Sequence, residues 1–325
     1  QRLQRLHQNT PRAIVFFLAG CLPFEAMLHI RQLGLFSMVC HLPQDPLHLH
    51  GKYILTHAPP KAKSWFQQVE EICSQYKIPA PLQMLANPLP AEAFKAMVKH
   101  KIIEYWQDLL RVEAAPLTSL QYFKPELYSL TRPHYMWLSA VSNPFECSKS
   151  TVLARMSSGR YRSQSLCRHW SSSNREGYCL ASSCHQTPGT LEHLLVVCPA
   201  LDTVRERMYS MWLERSVMFP TLHSTIRDVL GSDDLVKVQF IIEPLAFNQL
   251  SNCFQLYGQR FIEQLSYLTR TFAFYMNREY QTILKLAKSA LSEPVADHTC
   301  NDIPTNMFSV SADPSHLPLP NHTSQ

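Results

Sequence analysis

Glycine is scarce in this chain, with 8 in 325 residues. So few argue against Gly-rich phosphate loops and against a fold built on tight β-hairpins, since both need backbone that glycine alone adopts freely. Charge is thin as well, with Asp, Glu, Lys and Arg at 17%. Together with an apolar share of 46%, that excludes a solvated polyelectrolyte and leaves most of the chain able to bury a core. Long apolar runs are missing too. The most apolar one, Ala13-Ile-Val-Phe-Phe-Leu-Ala-Gly-Cys-Leu22, is about half of what a bilayer span requires, so no membrane partner is expected. No basic-then-apolar signal segment opens the chain. The first residue is Gln1 and not Met, from which we expect the natural N-terminus to lie upstream.

Proline is plentiful, with 23 residues scattered between apolar periodic stretches. That distribution argues for helices joined by stiff connections, and the expected class is mostly α. The length suits one large domain or two ordinary ones. Ten cysteines are spread from Cys21 to Cys300. A small disulfide scaffold would be shorter and denser, so a reducing, intracellular setting (nucleus, cytoplasm or both) is expected. The formal charge of +5 permits an anionic partner without requiring one.

Periodicity places the helices. Residues 11–42 read as two, with Pro23 suited to the first turn of the second and Phe24, Met27, Leu28, Leu35, Phe36 and Val39 as its apolar face. A Pro/His-rich loop follows at 42–60. Ser64 is a good N-cap for a helix carrying Trp65, Val69, Ile72 and Tyr76, ended by Pro79 and Pro81. The next helix, 90–114, carries Phe94, Val98, Ile102, Tyr105, Trp106 and Leu109, with a solvated charged face opposite. Asn143-Pro144 is a strong helix start and Gly159 a natural C-cap. Residues 247–291 are long enough for one or two core helices, and 293–325, rich in Pro, Ser, Asn, His and Thr, are expected to be disordered. There is no internal repeat.

The sharpest local signal is Cys179-x4-Cys184-x8-His193-x4-Cys198 followed by Pro199. Zinc takes four soft or borderline ligands in a tetrahedron, usually one close pair from a turn and another from a helix. Both pair spacings suit it. Thr190 is a plausible N-cap for a short helix bearing His193, with Cys198 supplied from the helix end, because five residues on is not quite the same face. Four protein ligands close the site, so the zinc is expected to be structural and to contribute on the order of 10 kcal/mol of local folding energy. His185, beside Cys184, is a spare ligand. The blander alternative is three buried thiols and a surface histidine.

Just before it, residues 149–175 hold Lys149, Arg155, Arg160, Arg162, Arg168 and Arg175 and no acid, with Tyr161, His169 and Trp170 interleaved. Guanidinium groups pair with phosphates in forked geometry and aromatic rings stack on unpaired bases. We therefore take Arg155, Arg160, Tyr161, Arg162, Arg168, His169 and Trp170 as candidates for nucleic-acid contact. The competing reading is a solvated helix face whose aromatics belong to the core.

The order of these elements resembles a known family. Arg155-Met-Ser-Ser-Gly159-Arg-Tyr161-Arg162, then His169-Trp170, then Cys179, Cys184, Glu192-His193 and Cys198-Pro199 is similar to the C-terminal region of LINE-type (non-LTR) retrotransposon reverse transcriptases. There a basic stretch ending in G-x-Y precedes a Cys-Cys-His-Cys motif, often with Cys-x2-Cys where this chain has Cys-x4-Cys. The segment 11–43 is similar to the thumb and connector helices after the polymerase fingers and palm, and the likeness covers roughly residues 1–215. It implies a division into thumb-like helices (1–60), a helical linker (61–145) and the basic stretch with a zinc-binding subdomain (146–217), to which periodicity and composition add C-terminal helices (218–292) and a tail (293–325). The expected architecture is thus a multi-helix domain with a small zinc-stapled subdomain.

Polymerase chemistry itself is not expected in this chain. Two-metal catalysis needs paired aspartates on a strand turn, and the only Asp-Asp, Asp233-Asp234, reads as a helix N-terminus. A hydrolase is disfavoured because no Gly-x-Ser-x-Gly elbow is present. What the resemblance implies is a non-catalytic region that binds template RNA or target DNA, beside a polymerase domain upstream in the same parent chain. The alternative is a zinc-stapled helical scaffold for protein interaction, with the helix at 247–291 as its partner-binding surface.

Overall fold

Local sequence chemistry accounts for where most helices begin and end. The computed structural model describes residues 4, 6–43, 45–47, 49, 50, 53, 64–138, 140, 143–161, 163, 177–184 and 186–292. Arg162, Arg168, His169, Trp170, Arg175, His185, most of the loop at 42–60 and the tail at 293–325 lie outside them.

Helix α1 (Arg12–Ala19) stops at Gly20, whose φ of 59° lets its N–H reach the Phe16 and Phe17 carbonyls. A Cβ at Gly20 would meet the Arg132 carbonyl carbon at 1.9 Å, so the 132–133 backbone can cross here only over glycine. Helix α2 (Phe24–Cys40) follows Pro23. Its orientation differs from expectation. Ala26, Leu33, Phe36, Ser37 and Cys40 are buried, while Phe24, Met27, Leu28 and Leu35 are exposed. Apolar residues occur all round this helix, so periodicity carried too little contrast to select the inward side.

Helix α3 (Trp65–Gln75) starts with the expected cap, and the full capping box is present: Ser64 Oγ accepts from the Gln67 N–H and Gln67 Oε1 from the Ser64 N–H, both at 3.1 Å. After α4 (Pro81–Ala86) comes α5 (Ala91–Ala114), which buries Phe94, Val98, Ile102, Trp106, Leu110 and Ala114. That strict four-residue spacing lays one stripe along the helix, against α1 and α2. A short helix α6 (Tyr135–Leu138) leads to α7 (Pro144–Ser157), whose cap Asn143 accepts from the Phe145 N–H at 2.9 Å.

The second half is built around one helix. Helices α8 (Asp202–Ser216), α9 (Pro220–Leu230) and α10 (Asp234–Ile242) all pack, with α7, against α11 (Asn248–Ser292), which is broken at Gly258 by φ 59° and ψ −141°. Asp233 caps α10 by accepting from the Val236 N–H at 2.9 Å, so the Asp-Asp pair is a helix start as expected. On α11, Phe261, Leu265, Leu268, Phe272 and Met276 are fully buried. The middle of this helix is therefore the centre of the core, and of the partner-binding surface that the scaffold alternative placed on it only the ends, with Leu256, Tyr257 and Leu286 exposed, stand open among the described residues.

Buried apolar residues form one continuous cluster running from Leu6 to Leu284, linking the segments at 1–60, 61–145, 146–217 and 218–292. Among the described residues there is no β-strand, only an isolated bridge between Tyr178 and Pro188. No single described helix is long and apolar enough to cross a membrane. The pair α1–α2 reaches that apolarity only across a 62° bend.

Candidate metal centre

Cys179, Cys184, His193 and Cys198 converge: their ligand atoms all lie within 4.8 Å of one another, and all four side chains are buried. The Sγ atoms of Cys179 and Cys198 are 3.9 Å apart and those of Cys184 and Cys198 3.5 Å. With metal–sulfur bonds of 2.3 Å, the edge of a regular tetrahedron is about 3.8 Å. The group can hold a metal ion.

Each ligand is placed by a local device. A knuckle presents the first pair: the Cys179 N–H donates to the Thr187 carbonyl at 2.8 Å, the Gly189 N–H to Gly177 at 2.9 Å and the Cys184 N–H to Ala181 at 3.0 Å. The second pair sits on one turn. Thr190 caps it as expected, its Oγ1 accepting from the His193 N–H at 3.1 Å. The turn His193–Val197 is a π-helix, closed by the Cys198 N–H donating to the His193 carbonyl at 2.7 Å. An α-turn would leave residues five apart on different faces. The wider π-turn brings Cys198 back toward His193, so that a His-x4-Cys pair can reach a common ion.

Both His193 ring nitrogens are buried with no hydrogen-bond partner of ordinary geometry, so the imidazole beside the three sulfurs is left as a potential metal ligand. The sulfurs compete for charge. Cys179 is held below the usual thiol range, foremost because Cys198 donates to it, with His193 adding to the effect. Cys198 is pushed up because it is that donor, and Cys184 is pushed up by burial. Three thiols this close cannot all ionise without a cation among them.

Two further residues brace the group, neither of them among the candidate site residues expected from sequence. Arg205 on α8 is buried and donates from Nε to the Leu195 carbonyl at 3.0 Å and from Nη2 to the Cys198 carbonyl at 2.8 Å, while Nη1 pairs with Asp202. It clamps the end of the π-turn on which Cys198 rides. Glu192 accepts from Gln121 Nε2 at 3.0 Å and from the Tyr122 hydroxyl at 2.8 Å, fastening the ligand turn to the 118–128 segment. Glu192 stood inside the Glu-His motif and could have been singled out. Arg205, seven residues past the last ligand, carried no comparable signal.

Of the candidates for nucleic-acid contact, Arg155 is exposed near the end of α7 and Arg160 is half-buried just beyond it. Tyr161 is buried and donates its hydroxyl to Asn277 Oδ1 at 2.8 Å, so its ring belongs to the core and is not a stacking platform. Lys149, in the same basic stretch, is likewise buried, 2.7 Å from Glu146 Oε1. The remaining candidates, Arg162, Arg168, His169 and Trp170, are among the residues not described. No family model, curated protein or solved structure matches the chain.

Proposed function

We propose that this chain is the non-catalytic, nucleic-acid-binding C-terminal part of a LINE-type retroelement reverse transcriptase, and that zinc is the ion at Cys179, Cys184, His193 and Cys198. The observation that carries the reading is the convergence of those four donors. Three thiolates and one imidazole at tetrahedral spacing suit zinc, which has no redox demands and accepts both donor types. Four protein ligands leave no open position, so the ion is a staple and not a catalyst. In support of the retroelement assignment, the centre follows a basic stretch ending in Gly159-Arg-Tyr161 in the family's order. RNA or DNA is the expected partner, beside an upstream polymerase domain of the same parent chain, in the nucleus, the cytoplasm or both.

Fluorescence anisotropy of the zinc-loaded chain with a structured RNA and a DNA duplex, at two salt concentrations, tests this. Binding that weakens steeply with salt is expected, because neutralised phosphates release counterions. Absence of binding at low salt contradicts it. A second reading, a zinc-stapled protein-interaction scaffold, draws on the apolar side chains that α2 leaves exposed, Phe24, Leu35 and Met38 among them. Self-association or capture of a protein without affinity for nucleic acid would favour that reading.

A further inference from the structure

The turn after α7 ends against a cleft of about 540 Å³ lined by His7, Arg155, Arg160, Tyr161, Asn277 and Gln281, with no carboxylate in its described lining. The geometry points to a use for it: we propose that this cleft seats one phosphate group of a bound nucleic-acid strand. The inference rests on the nucleic-acid reading above and gives it a specific contact.

Several independent features favour an anion here. The backbone sets Arg155 and Arg160 side by side at the end of α7. Gly159, at φ 62°, makes a Schellman turn in which the Gly159 N–H donates to Met156 and the Arg160 N–H to the Arg155 carbonyl, both at 3.1 Å. That glycine cannot be replaced freely, because a Cβ would meet the Ser119 carbonyl oxygen at 2.1 Å. Arg160 Nε is buried with no hydrogen-bond partner among the described residues, an uncompensated donor on a charged group. Asn277 spends its acceptor, Oδ1, on the Tyr161 hydroxyl at 2.8 Å. Its amide NH2 is a further donor in the wall of the cleft. A forked guanidinium pair with an amide donor matches the oxygens of a phosphate.

Charge continuity favours a strand over a free phosphate compound. Beyond Arg160 the sequence carries Arg162, Arg168 and Arg175 and no acid through residue 175, a run of positive charge that suits a polyanion better than a single small phosphate compound. The cleft volume also exceeds what a lone phosphate fills and lies in the range of ordinary ligand sites.

The test compares the zinc-loaded full chain with its Arg155→Gln/Arg160→Gln variant, after circular dichroism and metal content show that the variant is folded. Anisotropy with a labelled single strand is read across a salt series, and inorganic phosphate is titrated while the arginine Nε–Hε NMR signals are followed. The expected result is a roughly tenfold or greater loss of affinity and a log K against log salt slope shallower by about 0.7, the contribution of one phosphate contact on a single strand. Inorganic phosphate should shift the Arg160 signal weakly, at millimolar concentration. If the wild type binds strands and the variant keeps the same affinity and slope, the cleft assignment is overturned while the nucleic-acid reading stands. If the wild type binds no strand, that reading fails and the strand assignment falls with it. A phosphate shift at Arg160 in that case would mark the cleft as a site for a small phosphate compound.

Discussion

At the scale of single residues, the buried charges are the most exposed to a test. Glu146 is shared between Lys149, 2.7 Å away, and Arg270, at 2.8 Å, and both cation side chains are only 5% exposed. A partly buried carboxylate with two cationic partners is not by itself a source of stability, but removing its charge leaves two buried cations without their counter-charge. Glu146→Gln should therefore cost about 3–5 kcal/mol in urea unfolding, and a cost below about 1 kcal/mol would contradict the network. Arg205 presents a different case, because its partners are carbonyls of the ligand turn. Arg205→Met removes the donors to the Leu195 and Cys198 carbonyls and should destabilise by about 3 kcal/mol. It should also speed the loss of metal to a chelator, since the turn bearing Cys198 loses its clamp. Unchanged release kinetics would show that the turn holds its shape alone.

At the scale of elements, caps and close approaches decide where chains of residues stop. Gly159→Ala puts a methyl group onto the Ser119 backbone at a left-handed φ, and should cost about 3 kcal/mol in thermal or urea unfolding. Ser64→Ala, which breaks only the capping box of α3, should cost about 1 kcal/mol. The contrast between those two values is itself informative, since one change breaks a contact between segments and the other a local cap. Features set by local chemistry could be read in the sequence: the caps at Ser64, Asn143, Thr190 and Asp233, the stop at Gly159, the inward stripe of α5 and all four ligands of the metal centre. What could not be read depends on contacts made far along the chain. The buried side of α2 is chosen by neighbours and not by its own pattern, which is apolar all round. The burial of Tyr161 and Lys149 follows from α11 and its surroundings, more than 100 residues later. The π-turn also escaped, because an α-helical reading has no place for an i to i+5 bond, though the ligand spacing that needs it was in plain view.

At the scale of the whole molecule, the metal centre stands where separate parts of the chain meet. Its ligand turn packs against α10 and α11, and Glu192 reaches back to the 118–128 segment. If zinc is the ion, as proposed, its removal would leave three crowded thiols and a buried imidazole without a common partner and forfeit on the order of 10 kcal/mol. Chelation should therefore raise hydrogen exchange first in residues 177–201, with the core face of α11 opening later. Uniform exchange throughout would instead make the centre part of one cooperative unit. The central claim is that these four side chains hold one zinc ion, and X-ray absorption at the zinc edge tests it directly, together with metal content of the purified chain. The account predicts one zinc per chain, with three sulfurs at about 2.3 Å and one nitrogen at about 2.0–2.1 Å, and with Cys198→Ser losing that signature. A chain that carries no zinc, or one bound chiefly through oxygen, would contradict it.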